Sequence, residues 1–183
     1  RKDEYIEQAG NLAALSVNHR RLLANIAPDA ITWTEDRRRA ENLLKEFFFD
    51  EDKQVRQQAA SVFGKIRGEE IERCRELTEV FLQSPSFSEH SFGFLHMLEE
   101  ASCDVLQLVV GAAERIIADA ADRGGRNIGI NMDAHQVNDL LKREYVSSER
   151  NAEVRKRLLD LIDKMLAHNI HGADTIAIAH DRW

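Results

Sequence analysis

The stretch DEDKQVRQQAASVFGKI, Asp50–Ile66, decides how this chain is read. Its apolar residues Val55, Ala59, Val62, Phe63 and Ile66 stand at offsets 0, 4, 7, 8 and 11. An α-helix gathers those positions on one face, whereas a strand scatters them over both. The template returns twice. Val105, Val109, Ala112, Ala113 and Ile116 repeat the offsets, with Ile117 continuing the stripe, and Val154, Leu158, Leu161, Ile162 and Met165 repeat them again before Leu166. The three copies begin about 50 residues apart, a spacing that signals helical repeats. Each follows short oxygen-bearing side chains able to accept the orphan N–H groups of a first turn: Asp50 and Asp52, Ser102 and Asp104, then Ser147, Ser148 and Asn151.

Each template has a helical partner upstream. Ala40, Leu43, Leu44, Phe47 and Phe48 stripe the one before the first, and Val137, Leu140, Leu141 and Tyr145 the one before the third. Two candidate helices precede the second template. One covers 69–83 with Ile71, Cys74, Leu77, Val80 and Phe81; the other follows Ser84-Pro85 and covers 88–100 with Phe92, Leu95, Met97 and Leu98. Either could be the hairpin partner. The stretch 3–27 reads as one or two helices through Ile6, Ala9, Ala13, Val17, Leu22, Leu23 and Ile26, ended by Pro28-Asp29. Asp122 to Asp133, with Gly124, Gly125 and Gly129, reads as a flexible connection, and Ile170 to Trp183 as a turn at Gly172 and a short terminal helix. Ile128–Ile130 and Thr175–Ala179 are the only brief strand candidates.

These signals predict an all-α fold of stacked helical hairpins in one domain, 1–183, with N-terminal helices at 1–34, helical units at 35–67, 69–122 and 134–167, and a terminal cap at 170–183. The chain opens at Arg1 in helical-looking sequence, so an excised part of a larger protein is expected.

Asp50–Gly64, with Val55-Arg56, Ala59-Ala60 and Phe63-Gly64, resembles the second helix of a HEAT repeat. The third template keeps Val154-Arg155 but puts Leu158-Leu159 where the family has small residues; the second keeps only the stripe and has Leu106 in place of the Arg. The resemblance covers about residues 35–67 and 134–167, with periodicity alone between them. It implies an armadillo-like superhelix, each unit burying its face against its neighbours. Leu158–Leu166, with His171–Asp174 and Asp181-Arg182, is similar to the closing segment of large bacterial signal-transducing NTPases with NACHT-like motors, some of which end in HEAT-like helices. That resemblance implies a motor upstream.

Composition narrows the function classes. Lys and Arg number 25 against 32 Asp and Glu, a formal charge of −7, which disfavours nucleic acid as a partner of the whole chain. Two cysteines, Cys74 and Cys103, lie within apolar stripes and read as buried free thiols of a cytoplasmic protein. No apolar run approaches the roughly 20 residues that span a bilayer, so no membrane partner is expected.

Catalytic and cofactor motifs are not matched. The phosphate loop Gly-x4-Gly-Lys-Ser/Thr is missing; Gly124–Gly129 is glycine-rich but follows no strand and carries no Lys. His90 and His96, with Glu89, Glu99 and Glu100, could hold a metal, yet their offset of six keeps both rings off one helical face. His168 and His171 have a better offset, but the helix is expected to end between them, and His180-Asp181 alone could join. Cys103 precedes Asp104 at an expected helix start, where a thiolate gains some stabilisation. Asp160 and Asp163 read as solvated, or as partners of Lys156, Arg157 and Lys164. Arg20-Arg21, Arg37-Arg38-Arg39, Lys142-Arg143 and Arg155-Lys156-Arg157 have acids such as Glu41, Glu46, Glu144 and Glu153 close by, as a solvated face would.

The expected function is a non-catalytic interaction module with no cofactor and no metal, recognising a protein through exposed second-helix residues Arg56, Gln57, Lys65, Arg115, Asp119, Arg155 and Lys164. The alternative is a HEAT-like nucleic-acid binder with a local basic concave face; a metal-dependent enzyme around His90 and His96 comes third.

Overall fold

A computed structural model describes residues 12–31, 37–68, 70–122, 132–149, 151–170 and 172–173. Every regular element among them is helical, and no helix is long and apolar enough to cross a membrane. The N-terminal stretch before residue 12, the glycine-bearing connection and most of the terminal cap lie outside the described residues, as do both strand candidates. The chain divides into two compact units, Arg1–Cys103 and Asp104–Trp183. The division falls inside the stretch 69–122 that the periodicity groups together.

In the first unit a 3-10 turn, Leu12–Ala14, leads to α1 (Val17–Ala30), capped by Ser16. Pro28 was expected to stop this helix but lies within it. Its missing N–H leaves the Ala24 carbonyl without that helical donor, yet the helix runs on to Ala30. Helix α2 (Arg37–Phe47) buries Ala40, Leu43, Leu44 and Phe47. Helix α3 (Lys53–Ala60) starts at Asp52, whose side chain accepts from the Val55 amide, and tightens into a 3-10 turn, Ser61–Gly64. All five template positions are fully buried nonetheless.

The two helices expected at 69–83 and 88–100 are four. Helices α4 (Glu70–Arg73) and α5 (Arg75–Gln83) part at Cys74, whose amide is shared between the carbonyls of Glu70 and Ile71. Ser84 is extended and Pro85 opens α6 (Pro85–His90), because proline's fixed φ and missing N–H suit a first helical position. Helix α7 (Phe92–Glu99) begins afresh after Ser91. The break shifts the buried face, so Phe94 is buried and Phe92, expected in the stripe, is 50% exposed and stacks on His96.

Helix α1 packs on α2, α3 and the Ser61–Gly64 turn; α2 packs on α3 and α5, α6 on α3 and α5, and α7 on the turn. Phe48, Phe63, Phe81, Phe87 and Phe94 meet at the centre, with ring centroids 4.4 to 5.9 Å apart. Most of these pairs are tilted or edge-to-face, the arrangement that aligns a ring's positive edge with its neighbour's negative face.

The described residues of the second unit form three helices, each packed on the other two: α8 (Leu106–Asp122), α9 (Met132–Ser147) and α10 (Ala152–Ala167). Its core is aliphatic. Val109, Ala112 and Ala113 of α8 face inward, as do Val137 and Leu141 of α9 and Leu158, Ile162 and Met165 of α10. The expected caps are in place, Asp104 accepting from the Leu106 amide and Asn151 from the Val154 amide. Asn169, at φ 52°, ends α10 in a Schellman turn, with the Ile170 amide on Met165 and the Asn169 amide on Leu166. Gly172 turns the chain at φ 86°, where an added Cβ would come within 2.8 Å of Asn138.

Candidate functional site

Burial of Ala40, Leu43, Leu44 and Phe47 turns the opposite face of α2 outward, and that face carries Arg37, Arg38, Glu41 and Lys45. These side chains, with Arg73 of α4 and Glu76 of α5, line a groove of about 610 Å³. Two cross-links set its walls. Lys45 pairs with Glu76 at 2.7 Å, joining α2 to α5, and the bond holds the Glu76 carboxyl below its ordinary pKa. Arg37 donates from Nε to Glu41 at 2.8 Å and from Nη2 to the Cys74 sulfur at 3.0 Å, fastening α2 to the joint between α4 and α5. Burial pushes the Cys74 thiol up to about 11, so it is neutral at physiological pH and serves as an acceptor.

Arg38 and Arg73 stand differently. Both are exposed, and neither makes a hydrogen bond or ion pair with a described residue, although the Arg38 charge also acts on Glu76 through space. The groove thus presents four cations against two carboxylates in a chain whose formal charge is −7.

The seven residues expected at an interaction surface do not share one environment. Arg56 forks onto Glu89 of α6 at 2.8 Å and donates to the carbonyls of Asp50 and Glu51 at 2.6 and 3.0 Å. With its side chain only 13% exposed, Arg56 is a strut between α3 and α6. Its carbonyl partners lie in the connection between α2 and α3. Gln57 is exposed. Lys65 pairs with Asp29. In the second unit Arg115 and Asp119 pair within α8 at 3.2 Å, and Arg155 lies 4.3 Å above the Tyr145 ring while donating to its hydroxyl at 2.6 Å. Lys164 is exposed.

Other charged positions also depart from expectation. Arg20 and Arg21 are not a solvated run: Arg20 binds Asp50 at 2.7 Å and Arg21 binds Asp52 at 2.7 Å, tying α1 to the start of α3. The Arg21 bond, followed by the Val55 amide, lowers the Asp52 carboxyl to about 2. Asp160 and Asp163 are solvated, while Arg157 reaches Glu114 on α8 at 3.5 Å. Cys74 is buried as expected, but Cys103 is half-buried, and it stands three residues ahead of a helix that begins only at Leu106.

His90 and His96 sit on different helices. The His90 Nε2 is 3.7 Å from Glu89, and burial lowers the His90 pKa; His96 faces Glu99 and Glu100 at 3.2 and 3.5 Å. Among the described residues no group of three or more His, Cys, Asp and Glu is placed to hold a metal ion. His171 and His180 lie outside those residues.

Of the groove residues, Arg37, Arg38 and Glu41 are conspicuous in the sequence, but their grouping with Lys45, Arg73 and Glu76 is not. The periodicity of α2 exposes one wall; the other depends on the break at Cys74. Comparison with protein-family models, curated proteins and solved structures gives no significant match.

Proposed function

We propose that this chain is a helical interaction module that recognises a protein partner, with the α2–α4–α5 groove as its contact surface. The observation that carries the reading is the groove's construction. Its walls are held by the Arg37–Cys74 and Lys45–Glu76 cross-links, and its cations remain in excess. A preformed charged surface on short, packed helices loses little entropy on binding and selects partners by charge. The HEAT-like spacing of the three templates supports a repeat module. The resemblance of the closing segment to signal-transducing NTPases supports a place in a larger protein of that class. A parent reading frame with a phosphate-binding loop upstream agrees with that placement, and one without it removes the NTPase part of the proposal.

The test is site-directed photo-crosslinking in cells from Asn42, an exposed residue lining the groove, with exposed Lys164 of α10 as the comparison position. A discrete protein adduct formed from position 42 and not from 164 is expected. Adducts to nucleic acid from position 42 favour the nucleic-acid alternative, and an absence of adducts from position 42 removes the groove from the proposal.

A further inference from the structure

Resting on that reading of the groove, we infer that Arg38 and Arg73 form a receptor for a dianionic group on the partner: a phosphomonoester, or two adjacent carboxylates, on a peptide segment. The four cations divide by what they already hold. Arg37 is engaged by Glu41 and the Cys74 sulfur, and Lys45 by Glu76, so these two build the walls and have little charge left to offer. Arg38 and Arg73 have no such internal partner among the described residues, yet they line the same groove from two different helices. A guanidinium presents its N–H donors as a planar fork that matches carboxylate and phosphate oxygens two at a time. Two free forks facing one space match a group of charge −2, which is close to what a phosphomonoester carries at neutral pH.

Glu41 and Glu76 refine the selectivity. Each is tied to a wall cation, and together they place two carboxylates beside the two free guanidinia. A single dianion meets these two carboxylates once, whereas a long polyanion carries further charges past them. Beyond the groove, a nucleic-acid strand meets a chain with 32 acidic side chains against 25 basic ones. Both facts favour a short anionic peptide segment over a phosphodiester backbone. A groove of about 610 Å³ is also of the size that encloses a few residues rather than a duplex.

The experiment measures binding by fluorescence anisotropy at low and physiological salt. It uses the whole chain and a set of labelled probes: a phosphoserine peptide, the same peptide with Glu-Glu in place of phosphoserine, the unmodified peptide, and a 20-base-pair duplex DNA. The phosphoserine or Glu-Glu peptide is expected to bind, the unmodified peptide to bind at least about tenfold more weakly, and binding to weaken as salt rises. The stronger of the two dianionic probes identifies the source of the charge. Arg38→Ala with Arg73→Ala is expected to weaken binding by about tenfold or more, while Arg75→Ala, outside the groove, leaves it unchanged. Arg38→Lys with Arg73→Lys keeps the charge and loses the forks, and is expected to fall between wild type and the alanine pair. Both arginines are exposed and make no hydrogen bond or ion pair with a described residue, so circular dichroism should show all variants folded.

Three results overturn the inference: equal binding by wild type and the alanine pair, full binding by the lysine pair, or tighter binding of the duplex than of either dianionic peptide. Failure here is separable from failure of the wider reading. A partner still crosslinked from position 42 after the alanine substitutions removes the dianion receptor and keeps the interaction surface; loss of that adduct in wild type removes both.

Discussion

The two units solve the same packing problem with different materials. The first, Arg1–Cys103, is built from short helices of 4 to 14 residues around five mutually packed phenylalanines, braced by arginines that reach carboxylates some 30 residues away. The second, Asp104–Trp183, has among its described residues three helices of 16 or 17 residues and an aliphatic core; Arg115 pairs with Asp119 inside α8, Arg157 reaches from α10 to Glu114 of α8, and Asp160, Asp163 and Lys164 stay exposed. Long regular helices need few cross-links, because each turn adds its own backbone bonds and apolar contacts. Short ones expose more unmatched termini and connections per residue, and the first unit ties these down with side chains: Ser86 donates to the Phe48 carbonyl at 2.7 Å just past α2, and Arg56 to those of Asp50 and Glu51 in the loop before α3.

The sharpest break of this contrast is in the cores. Phe81 touches four other rings, so Phe81→Ala is expected to cost about 3–5 kcal/mol and to remove amide protection across α2–α7. Leu158→Ala in α10 is expected to cost about 3 kcal/mol, with its loss of protection in α8–α10. Denaturant unfolding with segment-resolved hydrogen exchange reads both. If Leu158→Ala proves the costlier, the ring cluster is not the centre of the first unit.

Arginines provide the next comparison. Arg56→Ala leaves Glu89 and two turn carbonyls without their donor and is expected to cost about 2 kcal/mol. Arg155→Ala loses a stacked ring and one hydroxyl bond, an expected cost of about 1 kcal/mol. Equal melting temperatures for the two variants would contradict the strut role of Arg56.

Caps come third. Asn151→Ala removes one cap bond and should cost about 1 kcal/mol. Asp52→Ala should lower the melting temperature further, because the same carboxylate also holds Arg21.

Acid provides the mildest probe. The Asp52 carboxyl is lowered from 3.8 to about 2 in the folded chain, so its contribution is complete above pH 4 and is lost as pH falls toward 2. A pH titration of stability should therefore show a loss in that window that Asp52→Asn abolishes. A titration unaffected by the substitution would show that the Arg21–Asp52 pair adds nothing to folding.

How much of this could be read beforehand differs by element. The three templates, their caps at Asp52, Asp104 and Asn151, and the burial of their stripes, except at Val154 and Leu166, which are half-buried, follow from offsets and oxygen-bearing side chains, which act within a few residues of themselves. The breaks at Cys74 and Ser91 do not, because Ile71, Cys74, Leu77 and Phe81 keep helical spacing straight through a break that periodicity alone has no means of registering. The candidate interaction residues differ in their surroundings: Gln57 and Lys164 are exposed, whereas Arg56 and Arg155 are held by Glu89 and Tyr145. An arginine at a surface offset looks the same in either case until its partner is placed.

The chain alone determined that it would be helical, where three of its helices would begin, and which faces would turn inward, because those depend on near neighbours along the backbone. Only the tertiary arrangement decided which cations were spent on internal carboxylates and which, Arg38 and Arg73, were left facing a groove. Charge pairing depends on distance in space: Arg37 finds its carboxylate four residues away, whereas Arg20 and Arg21 find theirs 30 and 31 residues away.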